Sequence, residues 1–161
     1  MKCRERLEAY LREQQVPFSL SWHPEAYTAQ EVAAAAHIPG RLVAKVVMVA
    51  ADSRLTMAVL PADLRVDVPK LASALGAKEV RLAREEEFSH AFPDCDVGAM
   101  PPFGNLYQIP VIVEEALTRD PEIAFEVGTH REMMRVRYPD FHRLVQPKVA
   151  AFATPKKPVG A

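Results

Sequence analysis

Cys3, Leu7, Tyr10 and Leu11 stand at i, i+4, i+7 and i+8. That spacing makes one apolar stripe and predicts an amphipathic helix over residues 2–15. Pro17 stops it, because proline has no amide to give a helix interior. Residues 18–22 alternate in the manner of a short strand. Thr28-Ala29-Gln30-Glu31 reads as a capping box, with the Thr28 hydroxyl accepting from the Glu31 amide and the Glu31 side chain reaching back. The helix it starts runs on through residues 32–36 and ends at Ile38-Pro39-Gly40. Residues 42–49 are continuous, apolar and β-branched apart from one lysine, the pattern of a strand buried on both faces. Residues 54–60 predict a second strand, and Ala51-Asp52-Ser53 between the two suits a hairpin turn. Residues 68–75 predict a short helix, with Pro69 at its start and Gly76 past its end. A brief strand over 79–82 and a helix over 84–91 follow, the latter with Glu85, Glu86 and Glu87 where the helix dipole favours acids.

Residues 92–110 hold four of the fourteen prolines, yet also Val97, Met100, Phe103, Leu106 and Tyr107. The apolar content marks a shaped loop rather than a linker. Strands are predicted over 111–113, 123–127 and 133–136, and a last helical turn or two over 140–145. From Ala150 onward the chain is Ala, Pro, Lys and Gly, which predicts a frayed tail over 150–161 behind a single domain of residues 1–149. Strands with helices scattered between them give an α/β class with a curved, mixed, barrel-like β-sheet and surrounding helices.

Length and charge narrow the function. A chain of 161 residues fits one domain and needs no metal or disulfide staple to fold. The balance of 20 Lys+Arg against 21 Asp+Glu excludes a generic polybasic nucleic-acid coat, though not a local basic patch. Arg41, Lys45, Arg65, Lys70, Lys78, Arg81 and Arg84 are the cations that such a patch would draw on. No apolar run approaches the roughly 20 residues of a spanning helix. Met1-Lys2-Cys3-Arg4-Glu5-Arg6 has no apolar stretch behind it, so the sequence reads as cytoplasmic, without a secretory signal. In that compartment Cys3 and Cys95 are expected to be two separate thiols, and Cys95, flanked by Asp94 and Asp96, to be a poor nucleophile.

Lys45 is the oddest residue in the pattern. A buried ammonium is costly unless paired. Either it turns to a solvated face or snorkels outward, or it is a fixed cation lining a pocket for a carboxylate, phosphate or carbonyl oxygen. Gly98-Ala99-Met100-Pro101-Pro102-Phe103-Gly104 is either a tight structural turn or a stiffened loop that offers backbone amides to an oxyanion. Gly128-Thr129-His130 follows a predicted strand, and His130 is either a surface histidine or a group that handles a ligand or proton. His23, before Pro24, is a turn histidine or a ligand contact. No zinc motif, P-loop, dinucleotide fingerprint or nucleophile elbow is present.

Lys45 in its apolar strand, the loop from Gly98 to Gly104 and Gly128-Thr129-His130, in that order, resemble the YbaK family. These are the aminoacyl-tRNA deacylases related to the editing insertion domain of bacterial prolyl-tRNA synthetase. The resemblance covers about residues 10–147, with Thr28 to Glu31 ahead of the motifs and residues 138–147 behind. It implies a free-standing hydrolase that cleaves the ester between a wrong amino acid and tRNA, with neither metal nor organic cofactor. It implies that Lys45 is the essential strand lysine, that Gly98 to Pro102 is the G-x-x-x-P loop lining the aminoacyl site, and that His130 handles the substrate. The same resemblance makes Met100, Pro101, Pro102, Phe103, Gly128, Thr129 and His23 substrate-binding candidates. His130 places the chain nearer the alanine-editing branch than the cysteine-specific one, with Ala-tRNA(Pro) as the expected substrate. The implied partners are the aminoacylated CCA end of tRNA and prolyl-tRNA synthetase, not DNA or a membrane. The competing readings are a non-catalytic module that binds a small ligand or the tRNA end in the same pocket, and an esterase for another small acyl substrate.

Overall fold

The computed structural model describes residues 2–156. Helix α1 (Cys3–Glu13) leads into strand β1 (Ser19–Trp22) and helix α2 (Ala29–Ala36). The hairpin β2 (Ala44–Ala51) and β3 (Arg54–Pro61) follows, then β4 (Leu64–Val66), α3 (Val68–Leu75), β5 (Val80–Leu82) and the one-turn α4 (Glu85–Phe88). After the long loop come β6 (Val111–Glu114), β7 (Glu122–Glu126), β8 (Glu132–Arg137), α5 (Tyr138–Val145), β9 (Lys148–Ala150) and β10 (Ala153–Pro155).

Local chemistry sets these boundaries. The Thr28 hydroxyl accepts the Glu31 amide at 3.1 Å, as the capping box requires, and itself donates to the Glu31 carboxylate at 3.0 Å. Asp67 caps α3 by accepting the Lys70 amide, and Gly76 ends that helix in the left-handed conformation. Asp52 and Ser53 both take positive φ in the β2–β3 turn, the geometry a two-residue hairpin demands.

The strands form a five-stranded mixed sheet in the order β5-β2-β3-β6-β9, an antiparallel trio β1-β8-β7, and the pair β10-β4. The expected curved mixed sheet is thus divided. The five-stranded sheet and the trio touch at one parallel bridge, Val43 to Ala124. Strand β3 is central and buried on both faces. Met57 and Val59 point into the main core with Phe103, Phe125 and Phe141, while Ala58 and Leu60 pack with Leu71, Ile112 and Phe152. A third, smaller core of Val32, Ala33, Val43, Ala124 and Met133 lies under α2.

Two expectations are corrected here. The segment after Ala150 does not fray over its described part. Phe152 is fully buried and β10 pairs antiparallel with β4. The cause is Glu114, whose buried carboxylate accepts the amides of Phe152, Ala153 and Ala116. Residues 157–161 of the expected tail lie outside the described residues. Nor are the cysteines separate thiols, because Cys3 and Cys95 are joined in a disulfide with Cα atoms 5.2 Å apart. The start of α1 packs on the loop, where the Cys3 amide donates to the Asp94 carbonyl at 3.1 Å. A separation of 92 residues carries no hint of that contact. Among the described residues, no helix is long and apolar enough to cross a membrane.

Candidate functional site

Strands β2 and β7 run parallel at the Val43–Ala124 bridge and then diverge. A cavity of about 150 Å³ opens at that divergence. Lys45 and Glu126 each lie two residues past the bridge, so the strand period puts both on the side that Val43 and Ala124 face. Ala29 and Val32 of α2, together with Tyr27, close one wall, and Gly98 and Met100 of the long loop close another.

Lys45 is half-buried, and its ammonium is pushed down to about 8. Burial is the main cause and the neighbouring Lys156 ammonium the next, with Asp63 opposing them. Lys156 reaches this position because β10 is ordered in front of it. Two cations therefore stand side by side, Lys45 lining the cavity and Lys156 next to it, with the Asp63 carboxylate acting on Lys45 in the opposite sense.

Glu126 carries the opposite perturbation. Burial raises its carboxyl to about 8, so it is largely protonated at neutral pH. His130 Nδ1 stands 3.7 Å from Glu126 Oε1, too far for a hydrogen bond, and with the carboxyl protonated the two do not form an ion pair. Neither atom has any hydrogen-bond partner among the described residues. His130 Nε2 lies 3.0 Å from the Val97 carbonyl oxygen. A carbonyl only accepts, so Nε2 carries a proton, and in the neutral ring Nδ1 is then the acceptor. The imidazole also lies against the Tyr27 ring, with centroids 4.8 Å apart.

Gly98 holds φ at +84°, a conformation that disfavours any side chain. The His130 Cε1 atom would lie 3.5 Å from a Cβ placed there. The Ala99 amide donates to the Asp96 carbonyl and is not free for a ligand. The amides of Gly98 and Met100 have no acceptor among the described residues.

The structure thus brings Lys45, Gly98 and Met100 to one cavity and places His130 directly behind Gly98. The other candidates fall elsewhere. Phe103 is wholly buried against Phe125 and Phe141, where it anchors the loop to the core. Pro101 and Pro102 are buried beside it and do not line the cavity. Gly128 and Thr129 face a separate depression beside Cys3 and Arg4. There Gly128 holds φ at +102°, and a Cβ would meet the Cys3 Cβ at 2.7 Å. Gly128 instead positions the loop, since its amide donates to Ala99 and its carbonyl accepts from Asp96, both at 2.8 Å. Thr129 donates to Glu132 at 3.1 Å. His23 is buried one layer back, with Nδ1 2.7 Å from the Pro24 carbonyl.

Glu126, Tyr27 and Lys156 are the site residues that sequence reasoning missed. Glu126 gave a signal of the same kind as Lys45, an ionisable group in a strand otherwise made of Ile, Ala, Phe and Val. Tyr27 and Lys156 gave none.

Comparison with known proteins adds to this geometry. The sequence pattern of the aminoacyl-tRNA editing domain matches residues 23–144. The multifunctional Ser/Thr-tRNA deacylase ProXp-y of Escherichia coli strain K12 is 31% identical over 97 residues, 60% of this chain. The aligned part spans 58% of the length of that curated relative. Among solved structures, a candidate trans-editing enzyme for prolyl tRNA synthetase superposes with a TM-score of 0.81 at 21% identity, over 96% of this chain and 98% of that one. A hypothetical protein superposes with a TM-score of 0.82 at 19% identity, over 92% of this chain and 99% of that one. At those identities the structural likenesses show the fold.

Proposed function

The chain belongs to the aminoacyl-tRNA editing domain family, and from that premise we propose that it is a hydrolase that releases a small amino acid from mischarged tRNA. The observation that carries this reading is the cavity at the β2–β7 divergence, where Lys45 and the Gly98 loop converge. An aminoacyl ester is already activated, so its hydrolysis needs positioning and a stabilised oxyanion more than a strong protein nucleophile. The reaction adds water across the ester, giving the free amino acid and the terminal ribose hydroxyl.

Each group has a task in that reaction. Lys45, with Lys156 beside it, receives the phosphate of the terminal nucleotide. The amides of Gly98 and Met100 face the carbonyl oxygen as it gains charge. His130 holds Val97 through Nε2 and so fixes the start of the loop. A water molecule, or a hydroxyl of the terminal ribose, attacks or relays the proton.

Volume limits the amino acid. A cavity of about 150 Å³ is the size that holds one benzene molecule, so alanyl, seryl, threonyl and cysteinyl groups fit, and a phenylalanyl, tyrosyl or tryptophanyl group, which adds an ammonium and a carbonyl to such a ring, does not. Alanine on tRNA(Pro) is the expected substrate, and the Ser/Thr-tRNA deacylase relative supports serine and threonine as the alternative. Contact with the rest of the tRNA is weak and salt-sensitive in this reading. Of the seven candidate cations, Arg41, Arg81 and Arg84 are already in ion pairs with Asp120, Glu87 and Glu86. A prolyl-tRNA synthetase partner would supply the remaining grip.

The test is deacylation of alanyl-, seryl-, threonyl- and cysteinyl-tRNA by the purified protein, beside Lys45→Ala and beside small aminoacyl esters that lack tRNA. The wild type is expected to hydrolyse at least one charged tRNA, and Lys45→Ala to lose about 100-fold or more of that rate. Binding of uncharged tRNA with no hydrolysis of any charged one would replace this reading with the non-catalytic module. Equal activity on the tRNA-free esters would make it a general esterase.

A further inference from the structure

We propose that Glu126 is the receptor for the α-ammonium group of the esterified amino acid, with His130 Nδ1 as the second acceptor of the same nitrogen. The inference deepens the deacylase reading and rests on it.

The cavity has a chemical direction. Lys45 and Lys156 make one side cationic, and Glu126 offers a carboxyl from the neighbouring strand. An aminoacylated nucleotide has the same direction in reverse, with a phosphate at one end and an ammonium at the other. Lys45 and Glu126 occupy equivalent positions past the Val43–Ala124 bridge, so the two ends of such a ligand are met from adjacent strands.

The local geometry suits an ammonium in particular. Glu126 Oε1 and His130 Nδ1 are both buried and both without a partner, and buried polar atoms are seldom left so. They lie 3.7 Å apart. One nitrogen placed about 2.8 Å from each would donate to both in a bent pair of charge-assisted hydrogen bonds. An ammonium has protons enough for two acceptors, whereas a hydroxyl has one. His130 Nε2 donates to Val97, so in the neutral imidazole Nδ1 is the acceptor. The raised carboxyl agrees with this arrangement, because burial without a counter-charge is what an entering ammonium would relieve.

The experiment compares the charged tRNA that the wild type hydrolyses fastest with its α-hydroxyacyl counterpart, made by nitrous-acid deamination. That change replaces the ammonium with a hydroxyl of nearly equal size. Rates are measured for the wild type, Glu126→Gln and Glu126→Asp, with circular dichroism and melting curves as controls on folding. The wild type is expected to favour the amino ester by about 10- to 100-fold in kcat/KM, the range for hydrogen bonds to a charged group. Glu126→Gln is expected to lose that preference while its rate on the hydroxy ester changes little, and Glu126→Asp to recover part of it. A variant that had merely been loosened would lose rate on both esters alike. Equal wild-type rates on the two esters, a preference that survives in Glu126→Gln, or a parallel loss on both would overturn the assignment and leave the deacylase reading intact. Absence of hydrolysis of any charged tRNA would overturn both.

Discussion

Lys45 and Glu126 interrupt their strands in the same way, each an ionisable group set among Val, Ala, Ile and Phe. Burial pushes the lysine down and the glutamate up, to about 8 in each case, and leaves both near neutrality's edge. For Glu126 the consequence for stability can be worked out with its sign. Its carboxyl holds a proton up to about 8 in the folded chain but only to about 4.5 in the unfolded chain. Between those values the folded state binds more protons, so stability falls as pH rises through that window. Glu126→Gln removes the titration and is expected to melt at a higher temperature than the wild type at pH above about 8, with a flatter dependence from about 4.5 upward. Parallel pH profiles for the two proteins would show that Glu126 is ionised in the fold. At this scale the sequence exposed Lys45, Gly98 and His130, because each is a residue type out of keeping with its neighbours. Glu126 is equally out of keeping with Ile123, Ala124, Phe125 and Val127, so its signal was present in the sequence as well.

Periodic patterning located most elements, since the helices α1, α2, α3 and α5 and the strands β2, β3, β7 and β8 are long enough to show it. Strands β4, β9 and β10 have three residues each and show no period of their own, whereas the equally short β5 lies in a segment that reads as a strand over 79–82. Their existence depends on distant partners: β10 on β4 and on the Glu114 carboxylate. Phe152 is the apolar anchor of that segment and packs with Leu71 and Ile112. Phe152→Ala is expected to destabilise the protein by about 3–5 kcal/mol, as for other buried aromatics. Val149→Ala, at a partly exposed position, should cost clearly less, about 1 kcal/mol or below. Urea melts of the two variants check both values, and an unaffected Phe152→Ala midpoint would mean that the segment does not pack in solution. Because Lys156 follows directly after β10, loosening of Phe152 should also weaken substrate binding.

The whole molecule is held by contacts that linear order conceals. The disulfide between Cys3 and Cys95 closes 92 residues and ties α1 to the loop that presents Gly98. Loops of that size give crosslinks worth about 2–5 kcal/mol. Cys3→Ser or full reduction is therefore expected to lower the melting temperature, and an identical melt with and without reductant would show the crosslink to be absent or without effect. Neither this closure nor the division into a five-stranded sheet and a trio could be read from residue types, because both depend on which distant segments meet. The division has a consequence for how such a protein can change its substrate. Strands bonded along their whole length share a rigid spacing. Past Val43 and Ala124 no ladder among the described residues spans the gap, so its width is set by the side chains that line it, Val32 and Met100 among them. Exchanging one of them for a neighbour in size alters the space by a methyl group or two and breaks no backbone pairing. The scaffold is therefore insulated from its own selectivity, and a chain of this design can be retuned from one small amino acid to another in single, tolerated steps.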